Sequence, residues 1–188
     1  MKQKSKENEK GGIIEKMIYF TADLHLGHPA AIKFGNRPFK NVEEMNRTLI
    51  SNFNSIVKPN DTVYILGDIA YRLPVEKTNE LIKKLNGKKI LIRGNHDKKY
   101  DKRLFEGVYD YLEISLNKKK VVLMHYPMLE WNCSFHGSYQ FHGHIHSKGD
   151  EYNKECKENN IRRYDVGVDA NNWFPVSAQQ IFDFFEKN

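Results

Sequence analysis

From residue 17 onward the chain alternates short apolar runs with polar stretches, and most of the runs are too short for buried helices. Ile18-Tyr19-Phe20, Val63-Tyr64-Ile65-Leu66, Ile90-Leu91-Ile92 and Val121-Val122-Leu123-Met124 are rich in β-branched and aromatic residues. Such runs predict buried strands, here over 17–22, 62–66, 89–92 and 121–124. Amphipathic segments separate the first three. Asn41-Val42-Glu43-Glu44 reads as an N-cap with Glu44 at the capping-box position, opening a helix that runs to Val57. Pro74 suits a first helical turn, and Leu81, Ile82 and Leu85 give that helix an apolar face before Gly87 stops it.

Beyond residue 107 the pattern changes. Residues 108–116 alternate apolar with polar, Asn117-Lys118 resembles a turn, and 121–124 returns, which predicts a hairpin. Residues 139–141 and 164–168 are further short strands. Ser177-Ala178-Gln179-Gln180 is a second capping box, starting a terminal helix with Ile181, Phe182 and Phe185 inward. A first half of alternating strands and helices followed by a strand-rich second half predicts an α/β sandwich. Residues 1–16 are polar and Lys/Glu-rich, and predict a flexible leader ahead of a single domain over 17–188.

Composition narrows the class. With 39% hydrophobic and 12% aromatic residues, the 188-residue chain can bury a sizeable core. No apolar stretch reaches the length of a membrane span, and the N-terminus lacks a signal-peptide core, so a cytoplasmic protein without a membrane partner is expected. Two cysteines, Cys133 and Cys156, are too few for a disulfide framework or a thiolate zinc site. The net charge of +6 favours anionic substrates such as phosphate esters or nucleic acid. Its lysine and arginine clusters are dispersed and not interleaved with aromatics, so most read as solvated turns. Nothing in the pattern speaks to oligomeric state.

The candidate chemistry lies where apolar runs end. Asp23-Leu24-His25, Gly67-Asp68, Gly94-Asn95-His96-Asp97, His125 and Gly143-His144-Ile145-His146 each follow or flank a strand. Side chains just past the carboxyl ends of neighbouring strands converge in open α/β sheets. Asp23, Asp68, Asn95 and the histidines offer oxygen and nitrogen donors without sulfur, which suits Mn, Fe, Co, Ni or Zn better than Ca or Mg. Seven ligands exceed what one ion takes but suit two ions sharing a bridging carboxylate. Two ions roughly 3.5–4 Å apart can clamp both oxygens of an in-line displacement at phosphorus.

The ordered set D-x-H, G-D, G-N-H-D, H and G-H-x-H resembles that of the calcineurin-like metallophosphoesterases, over nearly all of the chain from Met17. Within that family the detail is similar to the small, poorly characterised bacterial and phage phosphoesterases. The likeness lies in Asp23-Leu24-His25-Leu26-Gly27-His28, Asn36-Arg37-Pro38-Phe39, His125-Tyr126-Pro127 and Asp165-Val166-Gly167-Val168-Asp169. The resemblance implies a four-layer αββα sandwich of two mixed sheets with the dimetal site where their loops meet. It implies that Asp23, His25, Asp68 and His146 hold one ion, that Asp68 bridges, and that Asn95, His125 and His144 complete the second. His96 would be the general acid and Asp97 would orient its imidazole. Arg93 is either a phosphate grip, as in some branches of the family, or a surface arginine at a strand end. Unlike several branches, this chain has no acidic residue in Ile69-Ala70-Tyr71.

Other residues carry two readings. His28 either touches substrate from the first loop or is solvated. His142 reads as a packed strand residue, and His136 as an exposed loop residue. Tyr71, Tyr126 and Trp131 either stack on substrate or pack, and Asp169, Asn171 and Asn172 read as turn or cap residues. Gly67, Gly94 and Gly143 mark close backbone approach at the ligands. The expected function is hydrolysis of phosphate esters by a hydroxide bridging two divalent ions, manganese first, then Fe, Zn, Ni or Co. A phosphodiesterase acting on nucleotide-type substrates is preferred. The alternatives are a phosphomonoesterase of the same fold, a non-catalytic scaffold, against which the complete ligand set speaks, and a nucleic-acid-binding module without chemistry.

Overall fold

The computed structural model describes residues 16–187, so all but the last residue of the expected leader lies outside the described part. The apolar runs form the strands β1 (Ile18–Thr21), β2 (Thr62–Ile65) and β3 (Lys88–Ile92), which pair in parallel. Helices α1 (Pro29–Phe34), α2 (Val42–Ile56) and α3 (Val75–Lys83) connect them. β4 (Gly107–Tyr109) adds to β3, and β9 (Val176–Ser177) pairs antiparallel with β1, giving the order β4-β3-β2-β1-β9. The second sheet has the order β5-β6-β7-β8, built from β5 (Tyr111–Leu116), β6 (Lys119–Met124), β7 (Tyr139–His142) and β8 (Arg163–Asp165). Both sheets are mixed, as expected.

The caps differ in detail from the sequence reading. Asn41 Oδ1 accepts from Glu44 N at 2.8 Å, but the Glu44 carboxylate accepts from Lys40 N and not from the cap residue itself. Ser177 and Gln180 form the full reciprocal box at the start of α5 (Ala178–Glu186). The third helix ends at Lys83, ahead of Gly87.

Residues 108–116 are not one strand. The chain leaves the first sheet after Tyr109 and enters the second at Tyr111, with Asp110 as the hinge between them. Periodicity alone could not show this, because a break of one residue leaves the alternation intact. The expected hairpin is present between β5 and β6, turned by Asn117 and Lys118, both at positive φ (48° and 64°). That is the backbone twist that joins adjacent antiparallel strands. The polar α4 (Glu151–Glu158) and the two-residue β9 carry too weak a pattern to be read from sequence.

Two cores separate the layers. Leu49, Phe53, Val63, Ile65, Leu91 and their neighbours pack α1–α3 on the outer face of the first sheet. Phe20, Leu66, Ile92, Val121, Leu123 and Phe141 fill the space between the sheets, and Ile181 and Phe182 of α5 join them. The fourth layer is thin, with α4 covering β8 and Tyr152 set against His142. At their carboxyl ends the sheets meet: Ala22 bridges Gly167, and Val168 N donates to Ala22 O at 3.1 Å. Among the described residues no helix is long and apolar enough to cross a membrane.

Phe20 is fully buried, with its ring 4.9 Å from that of Phe141 across the inter-sheet space and 5.3 Å from Tyr64. Phe20→Ala is expected to cost about 3–5 kcal/mol through lost contacts and a cavity that rigid sheets cannot close. Urea denaturation measures it, and a loss below about 1 kcal/mol would mean that the sheets collapse into the gap.

Candidate metal centre and adjoining cleft

The first two ligand loops extend the sheet beyond its strands. Asp23 N, His25 N and Leu26 N donate to Gly67 O, Asp68 O and Ile69 O at 2.8–3.0 Å, so Asp23-Leu24-His25 and Gly67-Asp68 run side by side. The third loop is tied to them by His96 N, which donates to Asp68 Oδ1 at 2.9 Å. The fourth and fifth come from the second sheet, where Gly143 N donates to His125 O and His144 N donates to Asp23 Oδ2 at 2.8 Å. All five segments therefore meet at the seam of the two sheets.

Such crowding demands unusual backbone. Asp23, His25, Asp68, His144 and His146 sit at φ of 57°, 48°, 55°, 75° and 50°, the left-handed region that non-glycine residues rarely occupy. Strain of this kind persists only where surrounding contacts over-determine it, and it gathers at functional sites. Gly67 lies at φ 92° with Gly94 packed on it, and a Cβ there would stand 2.7 Å from Gly94 Cα. A Cβ on Gly94 would in turn overlap Asp68 Oδ1, and one on Gly143 would lie 2.5 Å from Asp23 Oδ2.

Two donor trios result. Asp23, His25 and His146 bring ligand atoms within 4.8 Å of one another, and so do Asp23, Asp68 and His125. Asp68 Oδ2 lies 3.6 Å from His25 Nε2 and 3.6 Å from His125 Nε2. Asn95 Oδ1 approaches His125 Nε2 at 3.0 Å, and the His144 ring stands 5.1 Å from that of His125. Asp23, His25, Asp68, His125 and His146 thus make up the trios, with Asp23 common to both, while Asn95 and His144 lie beside His125 and outside them.

The donor chemistry fits divalent cations. Asp23 Oδ1 is buried with no hydrogen-bond partner, an expensive state for a carboxylate oxygen unless a cation meets it. Burial first, then the charges of Asp165 and Asp68, raise the Asp23 carboxyl well above its ordinary range. Burial, with the neighbouring His146, pushes His25 down to about 2, which keeps its ring neutral and able to coordinate. His125 Nδ1 donates to Leu66 O at 2.7 Å, and His146 Nδ1 to Asp169 Oδ2 at 2.8 Å. Each of those bonds places the proton on Nδ1 and turns the Nε2 lone pair toward the cluster.

His96 points from the third loop with Nε2 3.9 Å from Asp68 Oδ2 and remains partly exposed. Asp97 does not orient it. Asp97 Oδ2 accepts from Asp68 N at 2.7 Å and Gly94 N at 2.8 Å, and Oδ1 accepts from Ile69 N at 3.1 Å. Three backbone donors occupy the carboxylate, so Asp97 clamps the second ligand loop to the third. Arg93 is exposed and ion-paired with Asp110 beside a shallow depression that Asn95 and Tyr126 also line. His28 is buried, not solvated. Its ring stacks on Tyr71 at 3.8 Å, and its Nδ1 lies 3.3 Å from His25 Nδ1, so it supports the cluster from beneath. Tyr126 lies edge-on to His144 at 4.6 Å, Trp131 is buried, His136 is exposed, and His142 is packed in its strand as expected.

Sequence reading missed one pair. Arg37 is buried and forks onto Asp169, Nε to Oδ1 at 2.9 Å and Nη2 to Oδ2 at 2.7 Å. Its remaining hydrogens go to Asp23 O, Leu24 O and Met45 Sδ. Asp169 is therefore no turn or cap residue: it takes the His146 proton on one side and Arg37 on the other. Burial alone would raise its carboxyl, but the hydrogen bonds from His146 and Arg37, with the Arg37 charge, hold it below the ordinary range. The available signal was a pair of carboxylates, Asp165 and Asp169, bracketing the apolar Val166-Gly167-Val168.

Comparison with known proteins follows this geometry. Residues 16–148 match the family model of the calcineurin-like phosphoesterases. The chain belongs to that family. An uncharacterized protein of Methanocaldococcus jannaschii is 40% identical over 92% of this chain and 93% of its own length. The Gene 66 protein of Mycobacterium phage L5 is 29% identical, covering 88% of this chain and 92% of its own. A protein of unknown function from Aquifex aeolicus, solved by crystallography, superposes with a TM-score of 0.71 at 28% identity, covering 90% of this chain and 99% of the other. A member of this family is a metal-dependent phosphoesterase, which hydrolyses phosphate esters with divalent metal ions.

Arg37→Met is expected to destabilise the fold by about 3–5 kcal/mol, because it strands a buried carboxylate. Arg37→Lys should rescue little, since an ammonium cannot make the fork and both carbonyl bonds. Urea unfolding of the two variants tests this, and a fully stable Arg37→Lys would show that charge alone suffices.

Proposed function

We propose that this calcineurin-like phosphoesterase is a phosphodiesterase acting on nucleotide-type substrates, with Asp23, His25, Asp68 and His146 holding one divalent ion and Asn95, His125 and His144 completing a second. The observation that carries the proposal is Asp68 Oδ2, equidistant at 3.6 Å from His25 Nε2 and His125 Nε2. One oxygen between two imidazole lone pairs is the placement a bridging ligand requires. We assign manganese as the first choice of ion, followed by Fe, Zn, Ni and Co, from the mixed oxygen and nitrogen donor set. Such ions supply Lewis-acid activation of a water and neutralise charge on the phosphoryl oxygens.

The chain's own groups do the rest. Asp169 and Leu66 O fix the tautomers of His146 and His125, so no proton on Nε2 blocks either ligand. Asp97 holds the second and third loops in register, which fixes the distance from Asp68 to His96. His96 Nε2, near Asp68 but not in either trio, is placed to protonate the departing oxygen. Arg93, exposed beside the shallow depression that Asn95 and Tyr126 line, is the candidate phosphate contact on that flank. The positive net charge of the chain supports a nucleotide-type substrate.

The test is hydrolysis of bis-p-nitrophenyl phosphate and p-nitrophenyl phosphate with added Mn²⁺, with and without EDTA. Faster, EDTA-sensitive turnover of the diester is expected. Absence of turnover with every candidate metal would overturn the proposal. His96→Ala should lower diester turnover by about 10²–10⁴ while elemental analysis still finds two ions per chain. Asp68→Asn should lose both ions, and a full complement in that variant would contradict the bridge.

A further inference from the structure

A cavity of about 590 Å³ opens beside His96, and neither His144 nor His146 lines it. Its volume lies within the roughly 300–1,000 Å³ of pockets that enclose whole small molecules. Leu73 and Tyr100, both half-buried, give it an apolar wall. Arg72, Lys98 and Lys99 are exposed along its lining. Arg93 and Arg103 pair with Asp110 and Asp101, but among the described residues these three cations have no carboxylate partner. Asp97 lines the cavity too, yet its oxygens already accept three backbone N–H groups. The Tyr71 ring stacks on His28 and carries the Arg72 guanidinium at 5.1 Å, so it acts as a wall that holds Arg72 in place.

The position of His96 assigns the cavity its role. An acid that protonates the departing oxygen must stand on the leaving-group side of phosphorus, so a cavity lined by that acid is where the leaving group would extend. A small alcohol would leave that apolar wall and the three cations without contacts. We propose that this cavity is the leaving-group subsite and that its occupant is a nucleotide, its base against Leu73 and Tyr100 and its own phosphate against Arg72, Lys98 and Lys99. This rests on the phosphodiesterase reading above. Water adds across the ester: a bond forms from its oxygen to phosphorus, and the bond from phosphorus to the nucleotide oxygen breaks with its electron pair on that oxygen. His96 gives that oxygen a proton, and the surplus proton of water passes to solvent. The products are a phosphomonoester and a nucleotide with a free hydroxyl.

Binding, not turnover, decides the proposal. AMP is titrated by calorimetry into EDTA-treated full-length protein, with adenosine as the comparison. AMP is expected to bind one per chain and at least tenfold more tightly than adenosine. The double variant Lys98→Glu/Lys99→Glu should lose at least tenfold in AMP affinity. Lys58→Glu/Lys88→Glu, at the amino ends of the strands and opposite the site, should change it less than twofold. No AMP binding, equal affinity for adenosine, or equal losses in both double variants would each overturn the subsite. Turnover of bis-p-nitrophenyl phosphate by the Mn²⁺-loaded wild type is measured in parallel, and its failure would strike the hydrolytic reading independently of the AMP result.

Discussion

Four carboxylates, those of Asp23, Asp68, Asp165 and Asp169, are held out of water where the two sheets meet, and among the described residues only Asp169 has a fixed cationic partner. Moving an ionised carboxylate out of water costs several kcal/mol even after the protein relaxes. The fold manages this expense locally. Asp165 is hydrogen-bonded by Ser147 and Gly167 N, Asp68 by His96 N, and Asp23 by His144 N. These bonds leave carboxylate oxygens facing a set of imidazole nitrogens. An apolar core would exclude such an arrangement, while divalent cations complete it. The ligand loops, the strained backbone and the glycines under them follow from the need to crowd these groups together.

Much of this was legible in the chain. Strand runs ending in Asp23, Asp68, Asn95 and His125 showed where the candidate ligands gather, because a buried strand delivers its next side chains to the sheet edge. Capping residues Asn41 and Ser177 located two helices to within a residue. Legibility failed where a feature depends on a partner far along the chain. Arg37 and Asp169 are 132 positions apart, so neither looks exceptional by itself. The break at Asp110 preserves alternation, and α4 has few apolar residues to mark its buried side. Asp97 misled for a related reason: a carboxylate beside a histidine in sequence does not face that histidine when three amides compete for it.

The site also separates supporting from reacting groups more sharply than motif reading does. His28, Asp97, Asp169 and Arg37 position other residues through contacts made away from the donor trios. His96 combines proximity to Asp68 with partial exposure and a bordering cavity. That asymmetry gives the centre two distinct flanks. One holds His144 and Tyr126 near the Arg93–Asp110 pair, and the other opens into the basic cleft.

The passage of the chain from one sheet to the other at Asp110 bears on how the protein folds. Each trio joins Asp23 to a histidine of the second sheet, His146 or His125, more than a hundred residues along the chain, so loop-closure entropy must be overcome before either exists. The first sheet, with its three helices, can condense from contacts of much shorter span, as β1–β2 and β2–β3 pairing shows. Docking of the second sheet is then the event that brings opposing carboxylates together. Divalent cations held by these groups would act as a latch on that docked state, since they would offset the repulsion that docking creates.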